Sequence, residues 1–291
     1  MNMDLSLIIC TRDRCEQLAR CLHSLRALAF ERPWELIVVD NGSTDGTSAV
    51  VKEFIDNSGL KAVYLFEPNR GKSTALNTAL RTAQGRILAF TDDDCYPAPD
   101  FLARVWSAFA DAALGYISGR ILLHDPADYP IAINDSTTAL TFAARSFIYA
   151  GAVGGGNMAF RREVLVQIGG FDPSFGPGAP FNAAEDVEVA ARASAIGWKG
   201  EYRPEVIVSH HHRRKESDAA RMWKAYGIGA GAYHMKLLLH AREFSWFLRS
   251  VYQVRRRIKL NVTWVLWEPV GAAKYAYLYV TGRCANPSPG M

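Results

Sequence analysis

The sequence predicts an α/β fold, in which a mostly parallel, Rossmann-like central sheet is flanked by helices and followed by a helical, basic C-terminal extension. Short runs that are apolar throughout alternate with helix-like segments over the first third of the chain. Turns rich in Gly, Asn and Asp separate them. Strands without polar alternation are typical of parallel sheets that are covered by helices on both faces and built from right-handed βαβ units.

The predicted strands are continuous apolar runs such as LSLIIC and ELIVVD, and they lie at 5–10, 35–40, 61–66 and 86–90. The predicted helices that follow them lie at 15–29, 47–57, 71–83 and 101–113. In the first helix Leu18, Leu22 and Leu25 recur at the spacing of one helical face. Asp100 precedes the last helix, where an N-cap residue is expected.

The stretch 115–212 has a more mixed pattern. It contains a Gly-rich loop at 151–158, a helix at about 186–196 and a strand near 205–209. Beyond residue 217 the pattern is helical and rich in aromatic residues.

With 291 residues, 49% of them hydrophobic, the chain can bury a sizeable core as one large domain or two small ones. Its five cysteines contain no CxxC pair. The N-terminal MNMDLSLIIC has an apolar run too short for a secretory signal and no basic lead. We therefore expect a cytoplasmic protein, and in that compartment free thiols are more common than disulfides.

Charge is unevenly distributed along the chain. Residues 1–212 hold 19 Lys and Arg against 25 Asp and Glu, whereas residues 213–291 hold 14 against 4. This split predicts an acidic-to-neutral body followed by a basic segment that meets an anionic partner. Nucleic acid, membrane lipid and an anionic substrate all remain open at this point.

Acidic side chains cluster where predicted strands end. Asp13, Asp40 and the run Asp92–Asp94 lie at such ends. Ligands of open α/β sheets bind at the carboxyl ends of the strands, so we expect these carboxylates to share one crevice. Asp92 and Asp94 flank one residue and point the same way on an extended backbone, where they suit one hard cation or a hydroxyl-rich ligand. A solvated turn is the alternative interpretation.

Other positions are candidates for ligand binding or catalysis, and each also has an ordinary structural interpretation. Asp40 either forms a turn or accepts hydrogen bonds from a nucleobase or ribose. Lys72 opens a helix, where an anionic group can bind, although no Walker A spacing is present. Glu185 and Asp186 open another helix, where they complement its dipole or include a general base. His210 ends a strand, a position that a structural histidine also fills.

Seven segments, in this order, resemble the family 2 glycosyltransferases, which are inverting enzymes of the GT-A fold. They are LIICTRDR, LIVVDNGSTDGT, NRGKSTALNTAL, LAFTDDDCYP, GGGNMAFRREVLVQIGGFD, AEDVEVAARASAIGW and PEVIVSHH, and they cover about residues 5–212. The resemblance implies a transferase that moves a sugar from a nucleotide-diphosphate sugar, with a UDP-sugar favoured, to an acceptor hydroxyl. It also implies Mn²⁺ or Mg²⁺ as cofactor and a place in surface polysaccharide or glycolipid synthesis.

The same resemblance implies roles for individual residues. Asp94 and His210 would hold the metal, and Asp186 would be the general base. The donor would be bound by Thr11, Arg12, Asp13, Asp40, Lys72, Asp92 and Asp93. The acceptor, a saccharide or a lipid-linked saccharide, would lie against Gly155, Gly156, Asn157 and Glu185. The opening Cys10-Thr11-Arg12-Asp13 departs from the Pro-Thr-Tyr-Asn-type pattern of the family.

The implied organisation is a single GT-A domain with a nucleotide-sugar-binding half at 1–115 and an acceptor-binding half at 116–216, followed by the extension 217–291. A nucleotidyltransferase, which would release pyrophosphate, is one alternative. A catalytically degenerate protein that binds glycan or nucleic acid is another, whereas the enzyme itself is expected to bind no nucleic acid. A Rossmann dehydrogenase is disfavoured because no GxGxxG follows the first strand.

One pattern in the extension is typical of membrane-surface helices. Phe247, Val251, Val254 and Ile258 fall on one helical face, and basic residues lie elsewhere around the helix. A helix that packs its apolar stripe on the catalytic body would show the same pattern. Peripheral attachment to the inner face of a membrane, through anionic lipid, therefore stands beside packing as an open alternative.

A second segment of the extension, 262–280, is nearly long enough to span a bilayer. Glu268, Pro269 and Lys274 interrupt it. Charged residues are costly inside a membrane, so an interfacial or packed segment is expected instead of a span.

Overall fold

The computed structural model describes residues 3–239, 244–252 and 261–284. Its strands form one sheet and are β1 (Leu5–Thr11), β2 (Trp34–Asp40), β3 (Ala62–Phe66), β4 (Ile87–Asp92), β5 (Cys95–Pro97), β6 (Leu114–Leu123), β7 (Leu140–Phe142), β8 (Asn157–Arg161) and β9 (Lys199–His210). Its helices are α1 (Cys15–Ser24), α2 (Thr47–Ser58), α3 (Lys72–Thr82), α4 (Phe101–Ala108), α5 (Arg162–Gln167), α6 (Glu185–Ala195), α7 (Glu216–Leu239), α8 (Phe244–Tyr252) and α9 (Val262–Val280). A 3-10 turn at Leu25–Ala27 follows α1.

The sheet curls, and this curvature builds the site described below. Its strand order is β3-β2-β1-β4-β8-β6-β9-β5, with β7 beside β9. Strands β3, β2, β1 and β4 are parallel, whereas β8 runs antiparallel between β4 and β6. Only Asp93 and Asp94 separate β4 from β5, yet three strands lie between β4 and β5 in the sheet. The sheet must therefore bend back on itself, which brings the end of β9 beside the end of β4.

The predicted α/β fold with a mostly parallel central sheet is confirmed. Strands β5, β6, β7 and β8 were absent from the sequence prediction, and β9 begins at residue 199 instead of near 205. Glycines obscure β6 in the sequence because glycine is depleted in strands. They are required by packing: a Cβ on Gly115 would lie 2.6 Å from the Cβ of Trp198, and one on Gly119 would lie 2.3 Å from Asn157 Nδ2.

An apolar layer covers each face of the sheet. On one face the strands pack against α1, α2 and α4 through residues that include Leu18, Val51 and Val105. The other face packs against α3 and α6. Tyr233 of α7 and Tyr275 of α9 belong to this second layer, so the C-terminal helices contribute to the core of the molecule.

Helices α7 and α9 approach each other closely through glycine. A Cβ on Gly231 would lie 1.8 Å from the carbonyl oxygen of Glu268, and one on Gly271 would lie 1.9 Å from that of Ile228. Any side chain larger than hydrogen at these positions would force the two backbones apart. This pairing fixes α9 against the body of the molecule.

The predicted amphipathic pattern of the extension falls only partly within the structure, because Val254 and Ile258 lie outside the described residues. The segment predicted at 262–280 is α9. Within the three described ranges, every helix is too short or too polar to cross a lipid bilayer.

Candidate active site

The acidic run lies at the centre of a cluster of charged side chains. Asp92 ends β4, Asp93 and Asp94 form the turn that follows, and Cys95 begins β5. We call Asp92–Asp94 the acidic turn. Asp93 and Asp94 are buried, and Asp92 is partly exposed. Three carboxylates this close together repel one another, so the structure has to supply countercharges.

Lys72 supplies the first countercharge and joins two parts of the site. It is the first residue of α3, and its Nζ lies 2.5 Å from Asp92 Oδ1 and 3.5 Å from Glu185 Oε1. Burial alone would lower the pKa of Lys72, but the charges of Asp92 and Glu185 raise it well above its usual value. Lys72 is therefore a permanent cation between the acidic turn and the start of α6.

Arg14 supplies the second countercharge. Its Nη2 donates to Asp94 Oδ2 at 2.5 Å, and its Nε lies 3.3 Å from Asp93 Oδ1. Asp93 also accepts a hydrogen bond from Thr11 Oγ1 at 2.7 Å. Burial raises the pKa of Asp93 to about 7, against the lowering effect of Arg14. Thr11 and Arg14 thus hold Asp93 in the wall of the site.

Asp94 faces a histidine and a thiol. His210 Nε2 lies 3.2 Å from Asp94 Oδ1, and the Nδ1 atom of His210 lies 3.4 Å from the carbonyl oxygen of Ala132. A ligand atom from each of Asp94, Cys95 and His210 lies within 4.8 Å of the other two. Burial opposes ionisation of Asp94, yet the hydrogen bond and charge of His210 bring its pKa below the ordinary value.

These three residues fit a divalent cation. Carboxylate, imidazole and thiolate are the donor types that bind divalent metals in proteins. The carbonyl of Ala132 faces Nδ1 and so orients His210 with Nε2 toward Asp94, as the outer partner of a metal-binding histidine does. Among the described residues, this is the one group of three such side chains that could enclose an ion.

Asp186 lies across the crevice at the start of α6. Its Oδ2 accepts the backbone N–H of Gly155 at 2.9 Å, and its Oδ1 accepts that of Val187 at 2.8 Å. Burial and then the neighbouring charge of Glu185 raise the pKa of Asp186 to about 7. Such a carboxyl group is suited to accept a proton near neutral pH.

The glycine loop, which is the Gly-rich stretch 151–158, lies between Asp186 and the acidic turn. A Cβ on Gly155 would lie 3.3 Å from Lys72 Nζ, and one on Gly156 would lie 3.2 Å from both Asp92 Oδ2 and Cys95 Sγ. The absence of side chains here lets the backbone contact both halves of the site. Gly155 and Gly156 thus lie between the start of α6 and the acidic turn, and their role in acceptor binding stays a prediction.

Asn157 is placed differently from these glycines. Its side chain is buried, and its Nδ2 donates to the carbonyl oxygens of Arg120 and Val206, both at 2.9 Å. It therefore ties β8 to β6 and β9. A role in acceptor binding stays a prediction and would act through the position of the glycine loop.

The remaining predicted donor residues lie together at the ends of β1 and β2. Asp40 accepts hydrogen bonds from the backbone N–H of Ser43 and from Tyr64 Oη, both at 2.8 Å. Asp13 accepts the N–H of Thr44 at 2.7 Å, and Arg12 Nε lies 3.4 Å from Asp13 Oδ2. Arg12 and Asp13 are exposed. Both lie at the same edge of the sheet as Thr11 and the acidic turn.

Sequence reasoning missed two residues of the cluster. Arg14 carried a weak signal, since it follows Thr11, Arg12 and Asp13, which were selected, in the segment LIICTRDR. Cys95 directly follows Asp94 in the segment LAFTDDDCYP, but its approach to His210 depends on the pairing of β5 with β9 across the curled sheet, which the sequence does not indicate.

Comparison with known proteins places the fold and the site in context. Residues 6–169 match the family model described as "Glycosyl transferase family 2". The glycosyltransferase AglE of Haloferax volcanii is 26% identical over 210 residues, which are 72% of this chain and 67% of AglE. The O-antigen chain rhamnosyltransferase WbaN of Salmonella anatum is 28% identical over 192 residues, which are 62% of this chain and 58% of WbaN.

Among solved structures, the mannosyltransferase PcManGT of Pyrobaculum calidifontis, determined with GDP-Man and Mn²⁺, is similar with a TM-score of 0.65. The likeness covers 99% of this chain and 77% of that one. At 24% identity it establishes the fold, which is that of the GT-A enzymes.

Proposed function

The chain belongs to glycosyl transferase family 2, and from that premise we propose that it transfers a sugar, with inversion, from a nucleotide-diphosphate sugar to an acceptor hydroxyl in a reaction that needs a divalent cation. The observation that carries the proposal is that direct contacts connect the acidic turn to the start of α6. Lys72 bridges Asp92 to Glu185, and the N–H of Gly155 reaches Asp186. A candidate cation site and a candidate base therefore face one crevice.

Asp186 is the base in this mechanism. Its carboxylate takes the proton of the acceptor hydroxyl while that oxygen attacks the anomeric carbon from the face opposite the leaving group. The two backbone N–H groups fix the carboxylate, and the single displacement inverts the anomeric configuration. No protein nucleophile is required.

The charge of the departing nucleoside diphosphate is balanced at the opposite side of the crevice. Asp94 and His210 would hold the cation, which supplies positive charge to the diphosphate when bound. Lys72 adds a fixed positive charge at the start of α3, where backbone N–H groups also favour anions. Asp92, which Lys72 contacts, would lie nearer the ribose.

Thr11, Arg12, Asp13 and Asp40 would bind the nucleoside, and we favour uracil as its base. The family resemblance of the segments that hold these residues supports this assignment. PcManGT was determined with GDP-Man, so guanine is the alternative for a donor panel to test.

The acceptor would approach through the glycine loop and Glu185. A saccharide or lipid-linked saccharide of a surface polysaccharide is the class we propose, and the similarity to an O-antigen chain rhamnosyltransferase supports it. In this scheme residues 1–115 carry most of the donor site, 116–216 most of the acceptor site, and 217–291 the extension.

Donor binding is expected to depend on a divalent cation and on Asp94. We expect one member of a panel of UDP- and GDP-sugars to bind with Mn²⁺ or Mg²⁺, and its affinity to fall at least about tenfold with EDTA or in Asp94→Asn. Calorimetry measures binding, and release of nucleoside diphosphate measures turnover. Asp56→Asn, an exposed change on α2, is the matched control.

Three results would count against this proposal. Binding of a donor that is indifferent to EDTA and to Asp94→Asn would refute the cation dependence. Release of pyrophosphate would favour a nucleotidyltransferase. If no donor binds and nucleic acid binds in a salt-sensitive way, a degenerate binding protein would be favoured.

We also propose that α9 attaches the enzyme to an anionic membrane surface. Val262, Leu266, Val270, Tyr277 and Val280 recur at helical spacing and are 45–83% exposed. They form an apolar stripe on a helix that belongs to the basic segment 213–291. An exposed apolar stripe in a segment with an excess of basic residues suits a surface of anionic lipid.

Liposome co-sedimentation tests this attachment with point variants of the full chain. We expect Leu266→Ser, Val270→Ser and Tyr277→Ser together to lose most binding to phosphatidylserine vesicles. Phe66→Ser with Val166→Ser removes two apolar side chains that are more than half exposed and lie outside α9. This control is expected to leave vesicle binding unchanged. Equal sedimentation of the stripe variant and the parent would exclude this surface. Removal of the extension is a poorer test, because Tyr233 and Tyr275 are part of the core.

A further inference from the structure

We propose that the thiol of Cys95 is a protein ligand of the divalent cation, together with Asp94 and His210, and that it determines which cations the site prefers. The inference rests on the proposed cation dependence and extends it to a residue that the family resemblance did not select.

The backbone places Cys95 beside the other two ligands. Cys95 and His210 are paired residues of β5 and β9, so their side chains lie on the same face of the sheet. The backbone N–H of His211 donates to the carbonyl oxygen of Asp94 at 2.8 Å, which fastens the acidic turn to β9. Close packing with Gly156 fixes the sulfur as well.

The distances permit one ion to contact all three side chains. With metal–sulfur and metal–nitrogen bonds of about 2.3 Å and about 2.0 Å, two such ligands can be up to about 4.3 Å apart. The ligand atoms here lie within 4.8 Å of one another. Small side-chain rotations are therefore sufficient, and the Asp94–His210 contact would open to admit the ion.

The donor set has a chemical consequence. Carboxylate and water favour Mg²⁺ and Mn²⁺, whereas thiolate and imidazole favour Zn²⁺, Co²⁺ and the still softer Cd²⁺. A site with one ligand of each kind is expected to bind the softer ions more tightly than Mg²⁺. Loss of the sulfur should then weaken binding of the soft ions selectively.

Cys21 offers a matched control. It is also buried near the turn, but its Sγ lies 3.2 Å from the carbonyl oxygen of Cys95 and 3.6 Å from that of Asp92. Cys21 thus contacts backbone behind the turn and does not belong to the ligand group. Its replacement tests the general effect of losing a buried thiol here.

Cobalt absorption spectroscopy is the direct test. We expect Co²⁺ to give the near-ultraviolet thiolate-to-cobalt charge-transfer band in the parent and in Cys21→Ser, and not in Cys95→Ser. Calorimetry should show at least about a tenfold loss of Co²⁺ and Cd²⁺ affinity in Cys95→Ser, with Mg²⁺ affinity nearly unchanged. A variant with the other four cysteines changed to Ser should keep the band, which assigns it to Cys95 even where Cys95→Ser is unstable.

The outcomes separate this inference from the proposed function. If Co²⁺ and Mn²⁺ bind and Asp94→Asn abolishes their binding, but no thiolate band appears, the Cys95 inference is wrong and the cation dependence stands. If no cation binds the parent protein with or without donor, both are wrong. A band that persists in Cys95→Ser would also overturn the inference.

Discussion

Asp186→Asn is expected to lower the rate of sugar transfer by about 10²- to 10⁴-fold, which is the usual contribution of a positioned general base. The amide keeps the size of the carboxyl group, and its oxygen can still accept one of the two N–H groups from Gly155 and Val187. Donor affinity should therefore change little. Initial rates with a saturating donor and acceptor, together with calorimetric donor binding, measure the two effects separately.

Glu185→Gln is the matched control, because Glu185 is adjacent in sequence and also faces the crevice through Lys72. We expect a smaller loss of rate than in Asp186→Asn. The opposite order, with Glu185→Gln inactive and Asp186→Asn active, would assign the base to Glu185.

The pH profile adds an independent readout for the same residue. A carboxyl group with a pKa of about 7 is active only when deprotonated, so kcat/KM should rise with pH through about 7 and then level off. Because the charge of Glu185 contributes to raising this pKa, Glu185→Gln should shift the rising limb to lower pH. A profile already level at pH 5 would contradict the assignment.

The candidate site residues whose place follows from their own strand or helix were predictable from sequence. Asp92 and Asp94 follow a buried parallel strand, and Asp186 opens a helix, so strand periodicity and helix position locate both. Their partners in contact were not predictable. Lys72 approaches Glu185 only because α3 and α6 pack on the same face of the sheet.

Tertiary packing also answers one part of what the sequence left open for the segment 262–280. Apolar periodicity describes a helix packed on the body and a helix lying on a membrane equally well. The structure shows that α9 does the first, through Tyr275 and Gly271, and leaves a separate stripe exposed that includes Leu266 and Tyr277. Packing uses one face of α9 and the proposed membrane contact would use another, and a single sequence does not separate the two faces.

Packing of the extension also creates a group of buried charges that the sequence pattern did not indicate. Lys236 of α7 lies with Nζ 2.8 Å from Asp172 Oδ2 and 2.5 Å from Glu188 Oε1. Arg192 binds Glu188 through two nitrogens, at 2.7 and 2.8 Å, and donates to the carbonyl oxygens of Ile168 and Gly170. These charges join α7, α6 and the loop that carries Asp172.

Lys236→Met is expected to destabilise the protein by about 3–5 kcal/mol, because it removes a buried cation that pairs with the buried carboxylates of both Asp172 and Glu188. Methionine keeps the length and apolar contacts of the stem, so the loss reports mainly the charge. Lys224→Met on the same helix removes an exposed ammonium over the ring of Trp267 and should cost less than about 1 kcal/mol. Urea unfolding followed by circular dichroism gives the free energy of unfolding for each variant.

At acid pH the difference in free energy of unfolding between Lys236→Met and the parent should become smaller. Burial opposes ionisation of Glu188, but Arg192 and Lys236 outweigh it and lower the pKa of Glu188 to about 2 in the folded state. A lowered carboxyl pKa stabilises the fold above the ordinary value of about 4.5, and this stabilisation is lost as the pH falls toward 2. In Lys236→Met much of that stabilisation is already absent, so its unfolding free energy should fall less between pH 5 and pH 3 than that of the parent. Parallel acid dependence of the two proteins would show that Lys236 does not govern the ionisation of this buried group.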